Sequence, residues 1–327
     1  MNYPAPDFAN RLLKNARHLF KWRNREDVTC YRLYDADIPE YAFAIDLYEG
    51  EELWVYVQEY SAPGSVDPEK VKQRRSDALQ TIREVLNISR EQLFLRFRER
   101  QRGSKQYEKM AETGKFYQIE EAGLKFEVNF NDYLDTGIFL DHRLTRLKIQ
   151  SMAKGKRFLN LFAYTGSATV YAAAGGAKET HTLDMSNTYL DWTIRNMALN
   201  GFTSEQHQYT QADCIRWLQE SDNEEGYDLI FLDPPSFSTS KRMRGTFDIQ
   251  RDYVELIKKA LQLLNKDGVL LFSTNKRKFI LDKEKIEAGK IIEISHQTVP
   301  EDFKRRNRIH QCWEIHKAEH ENSGIWA

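Results

Sequence analysis

Residues 227–237 read Tyr-Asp-Leu-Ile-Phe-Leu-Asp-Pro-Pro-Ser-Phe. An apolar run that ends in an acid and two prolines describes a buried strand leaving its sheet abruptly. Proline has no N–H and a fixed φ, so the chain departs stiffly after Asp233. An acid at the C-terminal end of such a strand stands where open α/β sheets bind ligands. An ordinary strand exit accounts for the prolines equally well, so the reading turns on what lies upstream.

From about residue 131 strands and helices alternate. Strand-like runs at Arg157–Phe162, Thr180–Leu183, His207–Thr210, Leu229–Leu232 and Gly268–Ser273 are separated by helical patterns, including Ala168–Ala174 and Tyr253–Leu264. Ile291–Thr298 and Gln311–Ile315 are expected to close the sheet as an antiparallel pair. Alternation of this kind predicts a doubly wound, mostly parallel sheet. Before residue 131 the pattern is mixed. A helix over 7–21 precedes strands at Thr29–Leu33, Ala42–Leu47 and Leu53–Glu59. A second helix runs from Pro68 to about Leu86, followed by a strand at Leu93–Arg98 and a hairpin at Phe116–Glu120 and Lys125–Asn129. The expected division is an N-terminal α+β domain over 1–130 and an α/β domain over 131–327.

The first strand of the α/β part runs into Ala163-Tyr-Thr-Gly166 and then a helix. One glycine lets the backbone approach a ligand there, but a dinucleotide pyrophosphate needs the several glycines of Gly-x-Gly-x-x-Gly. S-adenosylmethionine has no phosphate, so a single glycine suffices. This favours the methyl donor over a nicotinamide cofactor. Asp184, 18 residues beyond Gly166, has the spacing at which a carboxylate takes ribose hydroxyls. Asp213 ends the third strand, where it could accept from the adenine amine, and Asp233 ends the fourth. Each acid alone is equally well read as a helix N-cap; three on one sheet edge point to a ligand.

At these residues the chain resembles a known family. Thr136-Gly-Ile-Phe-Leu-Asp-His-Arg143, Asn160-Leu-Phe-Ala-Tyr-Thr-Gly166, Leu183-Asp-Met-Ser186 and Asp233-Pro-Pro-Ser-Phe237 are similar to class I methyltransferases acting on large-subunit ribosomal RNA. The run from Ser240 to Tyr253 resembles one branch, the 7-methylguanosine-forming C-terminal half of the bifunctional 23S rRNA guanine methyltransferases K/L. The resemblance implies a Rossmann-like fold with a seven-stranded, mostly parallel sheet. It also implies a donor site drawing on Phe139, Asp141, Arg143, Asn160, Phe162, Tyr164, Thr165, Gly166, Asp184, Met185, Ser186, Asp213 and Asp233. Phe139 would lie near the adenine or methionine end. Asp141 is open to a second reading, as N-cap of a helix over 142–152. The substrate implied is 23S rRNA or a large-subunit precursor, and the small domain before the sheet would help to grip it. A THUMP-containing methyltransferase half, fused or separate, is the implied partner, with this chain an excised half or a stand-alone version.

The site chemistry follows from the residue types. Cytosine C5 becomes nucleophilic only after a thiolate adds to C6. The position after Pro-Pro holds Ser236, and the fifth strand ends Ser273-Thr-Asn275, so that chemistry is disfavoured. Guanine N7 has an in-plane lone pair and no proton to lose, so alignment with the methyl–sulfur bond is what it needs. On this reading Asp233 orients the base edge or meets the donor's ammonium group, Pro234 shapes the pocket, and Phe237 stacks on a flipped base. His142, His181, His207 and His310 have no acid at a fixed spacing and receive no catalytic role.

The formal net charge is −1, yet cations cluster in four runs. Arg11 to Arg25 hold one. Arg98, Arg100 and Arg102 belong to a second, and Lys241, Arg242 and Arg244 follow the Asp-Pro-Pro loop. Lys304 to Arg308 hold the last. Each alone reads as a solvated face; together they suit RNA phosphates. Cys30, Cys214 and Cys312 lack metal-ligand or disulfide spacing, so no metal is expected and a reduced, cytoplasmic setting is. No run reaches the roughly 20 apolar residues of a membrane span. The alternatives that remain are methylation of another base position (an exocyclic amine or cytosine C5) and an RNA-binding module without catalysis.

Overall fold

The computed structural model describes residues 3–98, 112–221, 225–238, 246–305 and 309–318. These pack as two units. The first runs to Leu140 and takes in Glu301–Arg305; the second comprises Asp141–Pro300 and the strand near the C-terminus.

In the first unit, helix α1 (Pro6–Arg25) precedes strands β1 (Cys30–Asp35), β2 (Phe43–Glu49) and β3 (Leu53–Tyr60). Helix α2 (Pro68–Leu86) leads to β4 (Leu93–Arg98), and β5 (Tyr117–Glu121) pairs with β6 (Leu124–Val128) as a hairpin. The sheet order is β1-β2-β3-β4; the meander is antiparallel, and β4 joins β3 in parallel because α2 carries the chain back across. Pro68 sits in the first turn of α2, where its missing N–H costs nothing, and Asp67 caps it through Glu69 N. The apolar stripe of α1 (Phe8, Leu12, Leu19, Trp22) packs with Leu33, Ile45, Val55 and Val57 into one core.

The same sheet carries a buried ion pair. Arg32 is bidentate to Asp46, with Nε–Oδ1 2.7 Å and Nη2–Oδ2 2.9 Å. Its guanidinium lies 4.7 Å from the Phe303 ring, and its backbone N–H donates to Asp302 Oδ2 at 2.9 Å. A segment 270 residues away thus completes the first unit, and no local sequence pattern announces it.

In the second unit a 3-10 turn (Leu140–His142) opens α3 (Arg143–Met152), and β7 (Arg157–Leu161), α4 (Ser167–Ala174), β8 (Glu179–Asp184), α5 (Asn187–Leu199) and β9 (His207–Gln211) follow. Next come α6 (Cys214–Glu220), β10 (Tyr227–Leu232), the short strands β11 (Phe237–Ser238) and β12 (Phe247–Asp248), α7 (Ile249–Gln262) and β13 (Leu264–Thr274). The chain ends in β14 (Lys290–Glu293), α8 (Ser295–Thr298) and β15 (Gln311–His316). The main sheet has seven strands in the order β14-β15-β13-β10-β7-β8-β9. Neighbours from β13 to β9 run parallel, and β15 is antiparallel to both β13 and β14. The expected seven-stranded, mostly parallel class I architecture is therefore present, beside a smaller α+β unit.

Both faces of this sheet are covered, as a parallel sheet requires. Leu159, Leu161, Ile230, Leu232, Leu270 and Phe272 pack with α6 and α7, while their neighbours Phe158, Leu229, Phe231, Val269 and Leu271 pack with α3 and α4. Two local readings need correction. Residues 295–298, expected to extend a strand, form a helical turn after β14 stops at Glu293. The 214–220 helix was not expected; it starts because Asp213 caps it.

Replacing Asp46 by alanine leaves the Arg32 guanidinium buried without its main counter-charge, which is expected to cost about 3–5 kcal/mol. Urea unfolding measures it, and a loss under about 1 kcal/mol would mean that water reaches the pair.

Candidate active site

The chain runs from β7 through β8 to β9 in one direction, then returns to β10 on the other side of β7. The loops after β7 and β10 therefore flank the switch point, where the crevice of an open α/β sheet forms. Leu161, Leu183 and Thr210 pair across β7, β8 and β9, and Leu161 pairs with Leu232 of β10. The acids after these strands consequently share one sheet edge.

The loop after β7 has an unusual backbone. Phe162 (φ 56°), Tyr164 (φ 54°) and Gly166 (φ 70°) all lie in the left-handed region, sparsely populated for residues with a Cβ. Three contacts hold it. Phe162 N donates to Cys214 Sγ at 3.3 Å, Ala163 N to the Leu183 carbonyl at 3.0 Å, and Tyr164 N to Asp184 Oδ2 at 2.9 Å. Asp184 Oδ1 accepts from Ser186 N at 2.8 Å. Burial raises the Asp184 pKa to about 6, against the lowering effect of these amides. Thr165 is buried, its carbonyl accepting from Asn196 Nδ2 at 2.9 Å. Asn160 is also buried, and its Nδ2 donates to Thr169 Oγ1 at 2.9 Å. Ser186 caps α5 through Tyr189 N, and Met185 lies half-buried between that cap and β8.

Asp213 takes the capping geometry: its Oδ1 accepts from Ile215 N at 3.0 Å and Arg216 N at 3.5 Å. Asp233 differs. Its side chain is 26% exposed and makes no hydrogen bond among the described residues; His142 Nε2 lies 3.6 Å from its Oδ2. Pro234 is buried, whereas Phe237 is 49% exposed at the start of β11. β11 and β12 pair antiparallel, and Ser236 Oγ donates to Asn275 Oδ1 at 2.7 Å. These bonds fix the Pro-Pro loop to the end of β13.

Asp141 does not cap α3, which has no side-chain cap. Its Oδ2 instead faces His310 Nδ1 at 3.0 Å. His142 and His310, without an acid at a fixed spacing in the sequence, thus meet acids in space. Their partners lie 91 and 169 residues away in sequence, Asp233 from His142 and Asp141 from His310, so spacing could not reveal them. Arg143 is buried. Phe139, in the first unit, is 40% exposed. Arg98 is exposed on the edge strand β4, with Nη1 3.2 Å from Gln58 Oε1. Arg100, Arg102, Lys241, Arg242 and Arg244 lie outside the described residues.

All three cysteines are buried. Burial pushes the Cys214 and Cys312 thiols well above their usual range, so neither supplies a thiolate at neutral pH.

A Cβ on Gly166 would sit 2.2 Å from Thr193 Cγ2, on a backbone at φ 70°. Gly166→Ala is therefore expected to destabilise the protein by about 2–4 kcal/mol, from strain and overlap together. An unchanged unfolding midpoint would show that neither constraint acts.

Comparison with known proteins bears on this site. The chain matches the S-adenosylmethionine-dependent methyltransferase family over residues 56–305. It is 57% identical over 315 residues to the Allochromatium vinosum protein named Ribosomal RNA large subunit methyltransferase K/L, covering 96% of this chain and 43% of that one. A Vibrio cholerae protein of the same name is 52% identical over 313 residues, covering 95% and 44%. The chain thus spans less than half the length of these relatives. Among solved structures, SMU.776 complexed with SAH superimposes with a TM-score of 0.75 at 25% identity, over 95% of this chain and 81% of that one. A Rossmann-like sheet with its loops gathered at the switch point and a family match across most of its length lead to one assignment: the chain belongs to the S-adenosylmethionine-dependent methyltransferases.

Proposed function

We propose that this chain transfers the methyl group of S-adenosylmethionine to 23S rRNA, at guanine N7. The observation that carries the reading is the chain-long similarity to proteins named as large-subunit rRNA methyltransferases. The site supports it. Guanine N7 needs no nucleophile or base from the protein, only alignment of its lone pair with the methyl–sulfur bond. Asp233, the carboxylate at the switch point that makes no hydrogen bond within the described protein, orients the base edge or the donor's ammonium. Phe237 offers an exposed ring for stacking, and buried Pro234 shapes the wall beneath it. Cytosine C5 is disfavoured because no cysteine is positioned and ionised for covalent addition.

In this proposal Asp184 holds the ribose hydroxyls and the remaining oxygen of Asp213 faces the adenine amine. Asp141, Arg143, Asn160 and the 162–166 and 184–186 loops complete the donor site. Residues 1–130 form the domain that grips RNA. Arg11, Lys14, His18 and Lys21 line one side of α1 at helical spacing and make no ion pair among the described residues. Like charges one turn apart, as Arg11 and Lys14 are, weaken a helix, and an anion over them would relieve the repulsion. Arg11, Lys14 and His18 line a cavity of about 390 Å³ with Arg305, which Asp37 holds at 2.9 Å. Arg98, Arg100, Arg102, Lys241, Arg242 and Arg244 add phosphate contacts. A THUMP-containing half is the proposed partner.

Ribose hydroxyls donate to an ionised carboxylate, so donor binding draws on the deprotonated form of Asp184. With a pKa of about 6, affinity is expected to rise about tenfold from pH 5 to 7 as the competent fraction grows. Asp184→Asn should bind more weakly and with a flat pH profile. Without ligand the sign reverses. The protonated form is the one the fold favours, so its stabilisation is complete below about pH 4 and lost as the pH rises through 6. Titration calorimetry in buffers from pH 5 to 7.5 reads both proteins, and a flat parent profile would remove Asp184 from the donor site.

Labelled S-adenosylmethionine incubated with protein-free 23S rRNA, followed by nucleoside analysis, tests the reaction. Label in 7-methylguanosine is expected, reduced at least about a hundredfold in Asp233→Ala. Label in an exocyclic methylamine would keep the enzyme class and discard the N7 assignment.

A further inference from the structure

The proposed reaction uses neither His142 nor His310, yet both are buried beside Asp233 in the second unit. His310 is held at both ring nitrogens, Nδ1 3.0 Å from Asp141 Oδ2 and Nε2 3.1 Å from Thr298 Oγ1. His142 lies flat on it, ring centroids 4.4 Å apart and planes 17° apart, and meets Phe231 edge-on at 6.3 Å. The His142 Nδ1 is buried and makes no hydrogen bond among the described residues. Its Nε2 faces two carboxylates, Asp233 Oδ2 at 3.6 Å and Asp141 Oδ2 at 3.8 Å.

A neutral imidazole carries one proton, and the two nitrogens of His142 offer it very different surroundings. At Nδ1 it would be a buried donor with no acceptor; at Nε2 it points at negative charge. The Nε2–H tautomer is therefore preferred. Burial lowers the His142 pKa, as do His310 and Arg146, while Asp233 and Asp141 act in the opposite sense. The ring stays neutral and donates a single directed N–H.

We propose that His142 is a positioning residue, whose Nε2–H holds the Asp233 carboxylate in one orientation while Asp141, His310 and Thr298 hold the His142 ring. This rests on the proposed role of Asp233. The 3.6 Å separation is just longer than a hydrogen bond, and such contacts commonly tighten once substrate is bound. Oxygen and nitrogen atoms of Asp141, His142 and His310 also lie within 4.8 Å of one another. A metal is the weaker reading, because nearly parallel rings do not aim their in-plane lone pairs at one point and both His310 nitrogens already have partners.

The test compares the parent with His142→Phe, which keeps a flat ring, and His142→Gln, which keeps an N–H donor. Loss of one charge-assisted hydrogen bond predicts a kcat about tenfold to a hundredfold lower in His142→Phe, with donor affinity within about twofold of the parent. His142→Gln should recover much of that loss. Independently of any RNA, ring nitrogen NMR of the parent should show the Nε2–H tautomer. An Nδ1–H tautomer, or an unchanged kcat in His142→Phe, would overturn the proposal. A parent that is inactive on rRNA but shows the Nε2–H tautomer would overturn the rRNA reading alone.

Discussion

One carboxylate ties the second unit's sheet edge together. Asp184 ends β8, accepts from its own following loop at Ser186, and reaches across to Tyr164 N in the loop after β7. Tyr164 is one of three consecutive left-handed positions at every second residue, a backbone path that costs about 1–3 kcal/mol per strained residue and persists only when its surroundings over-determine it. Asp184 does so from one side, the Leu183 carbonyl and Cys214 from below, and Thr193 through its close approach to Gly166. The same burial that gives the carboxylate this grip raises its pKa to about 6. Fold and ligand chemistry therefore meet in a single group.

The parallel strands explain why the remaining acids gather beside it. Their C-terminal ends share an edge, so each residue that follows a strand is presented to the same solvent-facing crevice. The local bonding then distinguishes them. Asp213 has become a helix cap, while Asp233 is left with a partly exposed carboxylate free of hydrogen bonds among the described residues, at the point where the topology reverses. Rigidity comes from Pro234 and Pro235 and from the Ser236–Asn275 contact. An enzyme whose rate arises from alignment needs this kind of stiffness more than it needs acid–base groups.

Much of this was legible in the sequence, because the signals were local. Alternating apolar runs marked the five parallel strands, Pro68 marked the start of α2, and the lone Gly166 counted against a pyrophosphate turn. What stayed hidden was long-range. His310 and Asp141 meet across 169 residues, and Asp302 and Phe303 join Arg32 in a unit built largely from residues 1–140. The α6 helix was missed although its capping acid had been noticed, since that acid was read for a ligand. Ile291, Ile292 and Ile294 suited a strand that was carried on through 295–298, but the chain turns there to bring Thr298 against His310.

Amide hydrogen exchange, followed residue by residue with and without S-adenosylhomocysteine, tests the account most directly. The product of the donor should occupy the crevice at the switch point. Added protection is predicted to concentrate in 162–166, 184–186 and 233–237, with the strands behind them already slow. Protection confined to other segments, or none at saturating ligand, would contradict the placement of the donor at this edge and the roles assigned to Asp184 and Asp233.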